Sequence, residues 1–316
     1  MSFHYQTLKL DDSNLFGTLE KSVRLETTGR GRQAALLTRV QSPLDPMMWM
    51  IDSLTLTLDD SDQKKNQVVA PIVRSTLKLK QSAHAFSAVH HQLISEIQTQ
   101  CKTKKKIDFN HAMMEIYDSR YRTMGFHSDQ ALDLDSSSYI ALFSCYSDPA
   151  TKNLRELVIV NKHRPVFWFL FCIFLISWIW RMVDPKRAFA PLLLVLMMKF
   201  VQAWNDFVLP TTKTILLEHH SVVLFSTQEN ATHLHKIILS ELDNDNDQSR
   251  WLGLTFRFSK TWIRYPNPKN LTLATQEQAK IFYACKHLEN TTRGLLEYPS
   301  QMNYTVSPGD LLPPIS

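Results

Sequence analysis

Apolar positions along the chain follow two periods. An alternating or continuous apolar pattern marks strands at SLTLTL (53–58), QVVAPIVRSTLKL (67–79), SSYIALFSCY (137–146) and RELVIV (155–160). It returns at TILLEHHSVVLFS (214–226), THLHKIILSEL (232–242) and RWLGLTFRFSKTWIRY (250–265), the last two separated by the acidic turn DNDND. A helical period appears at 85–101, where Ala88, Val89, Leu93, Ile94 and Ile97 share one stripe, and a second helix is expected at 275–287. Short strands joined by polar turns predict an antiparallel sandwich or barrel.

One stretch fits neither period. In PVFWFLFCIFLISWIWRMVDPKRAFAPLLLVLMMKF (165–200), residues 166–180 and 188–198 are almost wholly apolar. Fifteen helical residues reach ~22 Å, short of the ~30 Å hydrocarbon core of a bilayer. Three readings stand open: one transmembrane helix, a hairpin touching membrane through 166–198, or translated intron sequence foreign to the fold. Removing 164–212 would join RELVIVNK to KTILLEHHSVVLF as a natural hairpin. A single crossing would put His127 and His235 on opposite sides of a bilayer.

Composition narrows the class. A chain of 316 residues that is 44% apolar can bury a full core, and seven glycines with 21% charged residues exclude collagen-like and disordered chains. The net charge of +5 is spread rather than striped, and its strongest run, KTKKK at 102–106, reads as a solvated loop. Cys101, Cys145, Cys172 and Cys285 show neither CxxC pairing nor zinc spacing, so a reducing intracellular compartment is expected, with membrane association through 166–198 the open question. MSFHYQTLKLDDSN lacks the apolar core of a signal peptide. Four Asn-x-Ser/Thr sequons, at Asn230, Asn270, Asn290 and Asn303, suit a different class: a non-enzymatic, membrane-tethered β-sandwich glycoprotein.

Candidate chemistry begins at His127-Ser128-Asp129. In an extended strand residues i and i+2 share a face, so an imidazole and a carboxylate converge on one ion. His233 and His235 in THLHKIIL offer a third ligand, and Arg257 follows His235 by 22 positions in GLTFR. Alternation along 251–259 puts Trp251, Gly253, Thr255, Arg257 and Ser259 on one face.

His-x-Asp, a distal His opening a strand, and a later Arg in this order resemble the AlkB-type branch of the iron(II)/2-oxoglutarate dioxygenases, over residues 110–161 and 213–265. The resemblance implies an α+β fold with a double-stranded β-helix (jelly-roll) core and flanking helices, interrupted by a hydrophobic helical insertion. Residues 1–110 would support the core, 111–265 form it with the insertion at about 164–212, and 266–316 extend it. His127, Asp129 and His235 would bind Fe(II), with His235 preferred to His233 because a strand starts directly after it. Arg257 and Ser259 would clamp the distal carboxylate of 2-oxoglutarate, with Lys260 or Arg250 as alternatives, and Tyr117 and Thr255 would complete that site. No further catalytic residue is implied. Such a centre needs its three side chains within about 4 Å of one another. The implied reaction consumes 2-oxoglutarate and O2, forms succinate and CO2, and hydroxylates or demethylates a substrate that could be nucleic acid, protein or lipid. The chain departs from the family where Trp251 replaces a second Arg, Gly253 an Asn, and Glu115 an Asn before the tyrosine, so nucleobase demethylation does not carry over.

Overall fold

A computed structural model describes residues 3–10, 14–41, 68–103, 107–162, 212–240, 248–265, 271–299 and 302–316. The expected strand at 53–58, the acidic turn and nearly all of the 164–212 insertion lie outside the described residues. In chain order the elements are β1 (His4–Thr7), α1 (Leu15–Lys21), β2 (Glu26–Gly29), β3 (Arg32–Thr38), β4 (Val68–Pro71), β5 (His84–Ala85), α2 (Ala88–Gln100) and β6 (His111–Tyr117). There follow β7 (Tyr139–Tyr146), β8 (Arg155–Asn161), β9 (Thr212–Leu217), β10 (Ser221–Ser226), α3 (Thr227–Thr232), β11 (His233–Leu239) and β12 (Trp251–Arg257). The chain ends with β13 (Trp262–Tyr265), β14 (Thr272–Leu273), α4 (Gln276–Thr291), β15 (Tyr304–Thr305) and a 3-10 turn at Pro308–Leu311.

The fold is α+β and mostly antiparallel. The larger sheet runs β1-β10-β7-β12-β6-β3-β2, with β5 pairing β3. A smaller sheet, β11-β8-β9, packs on its inner face. Alternation decides which side chain goes where. Leu252, Leu254 and Phe256 of β12 join Ala141, Phe143 and Cys145 of β7 and the buried faces of α1 and α2. Trp251 of β12 and Ile140, Leu142 and Tyr146 of β7 point the other way, onto Leu157 and Ile159 of β8 and Ile237 of β11. Both faces of the central strands are therefore covered, which explains runs such as YIALFSCY that read as nearly continuous apolar segments.

The helix expected at 85–101 is α2, and that at 275–287 is α4, opened by a capping box in which the Thr275 hydroxyl accepts from the Gln278 amide. Strand structure in 67–79 stops at Pro71. His219 and His220 are not mid-strand; they form the turn between β9 and β10, with His220 in the left-handed region at φ 59°. The strands flanking the apolar stretch do form a hairpin, β8 pairing β9 antiparallel from Arg155↔Leu217 to Val160↔Thr212. Among the described residues, no helix is long and apolar enough to cross a membrane. Cys101, Cys145 and Cys285 are free and buried.

Candidate metal centre

The segment 122–127 runs alongside β11 as an irregular fourth member of the smaller sheet, with bridges at Thr123↔Ile238 and His127↔His235. His127 and His235 exchange both backbone hydrogen bonds, at 3.0 and 2.7 Å. Residues directly opposite in such a pair project to one side, and the two rings lie 4.6 Å apart, centroid to centroid. His127 Nδ1 is 3.0 Å from the Gly125 carbonyl. That nitrogen therefore carries the proton, and Nε2 is left as an acceptor.

Asp129 arrives by a different route from the strand alternation expected. Its backbone makes no ladder; the Asn230 side chain accepts from Asp129 N (2.7 Å) and donates to Asp129 O (2.8 Å). Asp129 Oδ1 then stands 3.6 Å from His235 Nε2, and Oδ2 takes both Arg257 Nε (2.9 Å) and Nη2 (2.8 Å). One donor atom from each of His127, Asp129 and His235 lies within 4.8 Å of the others. The Asp129–His235 pair meets the 4 Å expectation. Metal–ligand bonds of ~2.1 Å meeting at right angles set ligand atoms ~3 Å apart, so a closed shell draws the set inward.

The charge states suit a cation. Burial, aided by His235, pushes His127 down to about 3, so its ring is neutral. Burial alone would raise the Asp129 carboxyl, but Arg257 and the two imidazoles outweigh it and hold it well below the ordinary range. Two imidazoles and one carboxylate on one side of an ion form a donor set for a divalent first-row metal. His233 stays out of it: its Nδ1 faces the Glu229 carbonyl at 3.0 Å, and its ring packs edge-on against Phe3. No family model matches the chain, and no curated protein matches it.

The residues expected around a co-substrate are not gathered as expected. Arg257 is bonded to Asp129 of the candidate metal set. Ser259 is not its partner. β12 ends at Arg257, and the fully buried Ser259 hydroxyl bonds the Ile72 carbonyl and accepts from Thr261 N. Thr255 shares the inner face with Arg257, between Met113 and Leu142. Tyr117 is opposite Trp251, whereas Arg257 is opposite His111. The six residue steps between those pairs span ~20 Å of strand, so Tyr117 belongs to the far end of the sandwich.

That far end is filled. The Trp251 indole lies across Gly253, where an added Cβ would stand 2.1 Å from Trp251 Cη2. Tyr117 stacks 4.9 Å from Trp251 and 4.4 Å from Tyr121, with the Arg155 guanidinium over its ring at 5.3 Å. Glu115 is bound by Arg32. Arg250 points to the helical face, paired with Glu20 and packed over Phe16. Lys260 is exposed. The three departures from the family pattern thus belong to one mutually packed cluster.

Four residues that hold the His-x-Asp turn carried no recognised signal. Besides Asn230, three come from the last turns of α4: Asn290 Oδ1 accepts from Ser128 N at 2.9 Å, Glu289 Oε1 accepts from Ala131 N at 3.0 Å, and Lys286 Nζ donates to Ser128 O. Asn230 and Asn290 were marked only as the first residues of two sequons.

Proposed function

We propose that the chain is an iron(II)- and 2-oxoglutarate-dependent oxygenase whose two sheets are those of a jelly-roll, acting on an unidentified substrate. The observation that supports this reading most is the opposition of His127 and His235 in one hydrogen-bonded strand pair, with Asp129 3.6 Å from His235. When bound, iron(II) in such a donor set leaves three coordination positions open and supplies oxidation of a C–H bond by O2, coupled to decarboxylation of 2-oxoglutarate to succinate and CO2.

The chain's own residues do the rest. His127, fixed in one tautomer by the Gly125 carbonyl, presents Nε2, and His235 presents Nε2 from the neighbouring strand. Arg257 orients Asp129 and keeps it ionised; its positive charge beside the ligands also favours an anionic co-substrate at the metal. The sealed far end offers no second arginine from β12, so co-substrate binding rests on Arg257. The glycoprotein reading is weakened because Asn230 and Asn290 spend their side-chain oxygens on the His-x-Asp turn.

The test is anaerobic titration with Fe(II), followed by aerobic incubation with 2-oxoglutarate and pools of nucleic acid, peptide or lipid. The expected outcome is one metal bound per chain and iron-dependent succinate formation, stimulated by one pool. A chain that binds metal but never turns over 2-oxoglutarate would remove the co-substrate from this reading.

A further inference from the structure

The turn that carries Asp129, directly after His127, has almost no backbone bonds of its own. Residues 128–131 belong to no strand or helix. The buried N–H and C=O groups there are satisfied by side chains instead: Ser128 N by Asn290, Ser128 O by Lys286, Asp129 N and O by Asn230, and Ala131 N by Glu289. Ser128, Asp129, Asn230 and Glu289 are each at least nine-tenths buried, so water cannot readily replace these partners.

The donors and acceptors come from two helices remote in sequence. Asn230 is in α3, directly before the ligand strand β11. Lys286, Glu289 and Asn290 are in α4, which follows the strands of the two sheets in sequence. The two helices are tied to each other by Lys162, whose ammonium donates to Ala231 O (3.2 Å) and to Glu289 O, and by Gly294 N on Ala231 O (3.0 Å). Asn290 acts on the turn only as an acceptor, receiving Ser128 N and, at 3.2 Å, the Ser128 hydroxyl.

We infer that α3 and α4 form a clamp on the His-x-Asp turn, with Asn230 and Asn290 as positioning residues, so that metal occupancy and docking of the C-terminal helix are one coupled equilibrium. The inference rests on the metal reading above. Its physical basis is linkage: an ion that binds only the assembled ligands stabilises everything needed to assemble them. Outer partners of metal ligands typically contribute a 10–100-fold factor in affinity. A C-terminal segment outside the ligand-bearing sheets thereby gains control over the centre.

The experiment uses the full chain with Co(II) as probe. Affinity comes from competition with a chromophoric chelator, coordination from the Co(II) visible spectrum, and helix docking from amide exchange over 276–291. Asn290→Ala is expected to weaken Co(II) binding by ~10-fold or more and to alter the spectrum. Asn290→Asp, which keeps the acceptor, should restore most of the affinity, an outcome that a loss of packing would not give. Co(II) should slow exchange in α4 of the native chain but not of His235→Ala. Unchanged Co(II) affinity in Asn290→Ala, with exchange in α4 indifferent to metal, overturns the clamp and leaves the metal centre standing. A native chain that binds no Co(II), and behaves as His235→Ala does, removes both.

Discussion

The two ends of the space between the sheets are built on opposite principles. At one end His127, Asp129 and His235 bring donor atoms within 4.8 Å of one another, with Arg257 bonded to Asp129. At the other, Trp251, from the opposite end of the strand that carries Arg257, packs with Tyr117 of β6 and Tyr146 of β7. Both ends are buried, yet one spends its burial on directed polar atoms and the other on ring packing. An alternation that looks uniform in sequence thus separates a site from its support. The sequence pattern put Tyr117 and Arg257 in one site; the register sets them ~20 Å of strand apart.

The largest effects should come from the ligands. His127→Ala, Asp129→Ala or His235→Ala should each abolish metal binding measured by equilibrium dialysis, while His233→Ala, whose imidazole is turned to Glu229, should keep most of it. A dead His233 variant beside an active His235 variant would redraw the site. Next comes Arg257→Gln, which removes the cation bonded to the buried Asp129 carboxylate. Breaking one partner of a buried pair costs ~3–5 kcal/mol, read as a lower urea midpoint in the metal-free chain. Added Co(II) should recover part of that loss, and the 2-oxoglutarate requirement should rise steeply. At the filled end, Gly253→Ala should cost ~1–3 kcal/mol by pushing the indole aside, and Trp251→Leu in the same chain should relieve part of it. Metal affinity should not change in either case; if it does, the two ends are coupled and the contrast fails.

The smallest effect is acid sensitivity away from the centre. Burial lowers His90 to about 4, with nearby His91 and His84 adding to it, and burial with His220 beside it lowers His219 to about 4. Unfolded imidazoles titrate near ~6.5. Between those values the unfolded chain binds more protons, so stability is fully present above ~6.5 and is lost as pH falls toward 4. Melting temperature should therefore decline through that window in the His235→Ala chain, where metal plays no part. Phenylalanine at both positions should flatten the slope.

The sequence was informative where chemistry and period coincide. His127-x-Asp129, His235 and Arg257 at the end of GLTFR were legible from residue type and spacing, and the structure brings all four together, although β11 begins at His233 rather than after His235 and Asp129 lies in no strand. The β8–β9 hairpin was legible from its two apolar strands. Ser259 was misplaced because alternation was carried past the end of β12, where the chain turns to bridge Leu134. Tyr117 was misplaced because its distance along β6 from the Arg257 level depends on register, which pattern alone does not set. Asn230, Lys286, Glu289 and Asn290 were invisible as a group: long-range side-chain bonds to a turn leave no periodic trace.

The burial of Asn230 also sets a clock. N-glycosylation acts on an Asn-x-Ser/Thr segment that is extended and reachable, and Asn230-Ala-Thr meets that condition only before the chain folds, since afterwards Asn230 is 2% exposed and its amide makes two hydrogen bonds to the Asp129 backbone. In a chain made in the secretory lumen, a glycan added there during synthesis would block the turn from closing. The state of Asn230 would then record which came first for each molecule, the modifying enzyme or the fold.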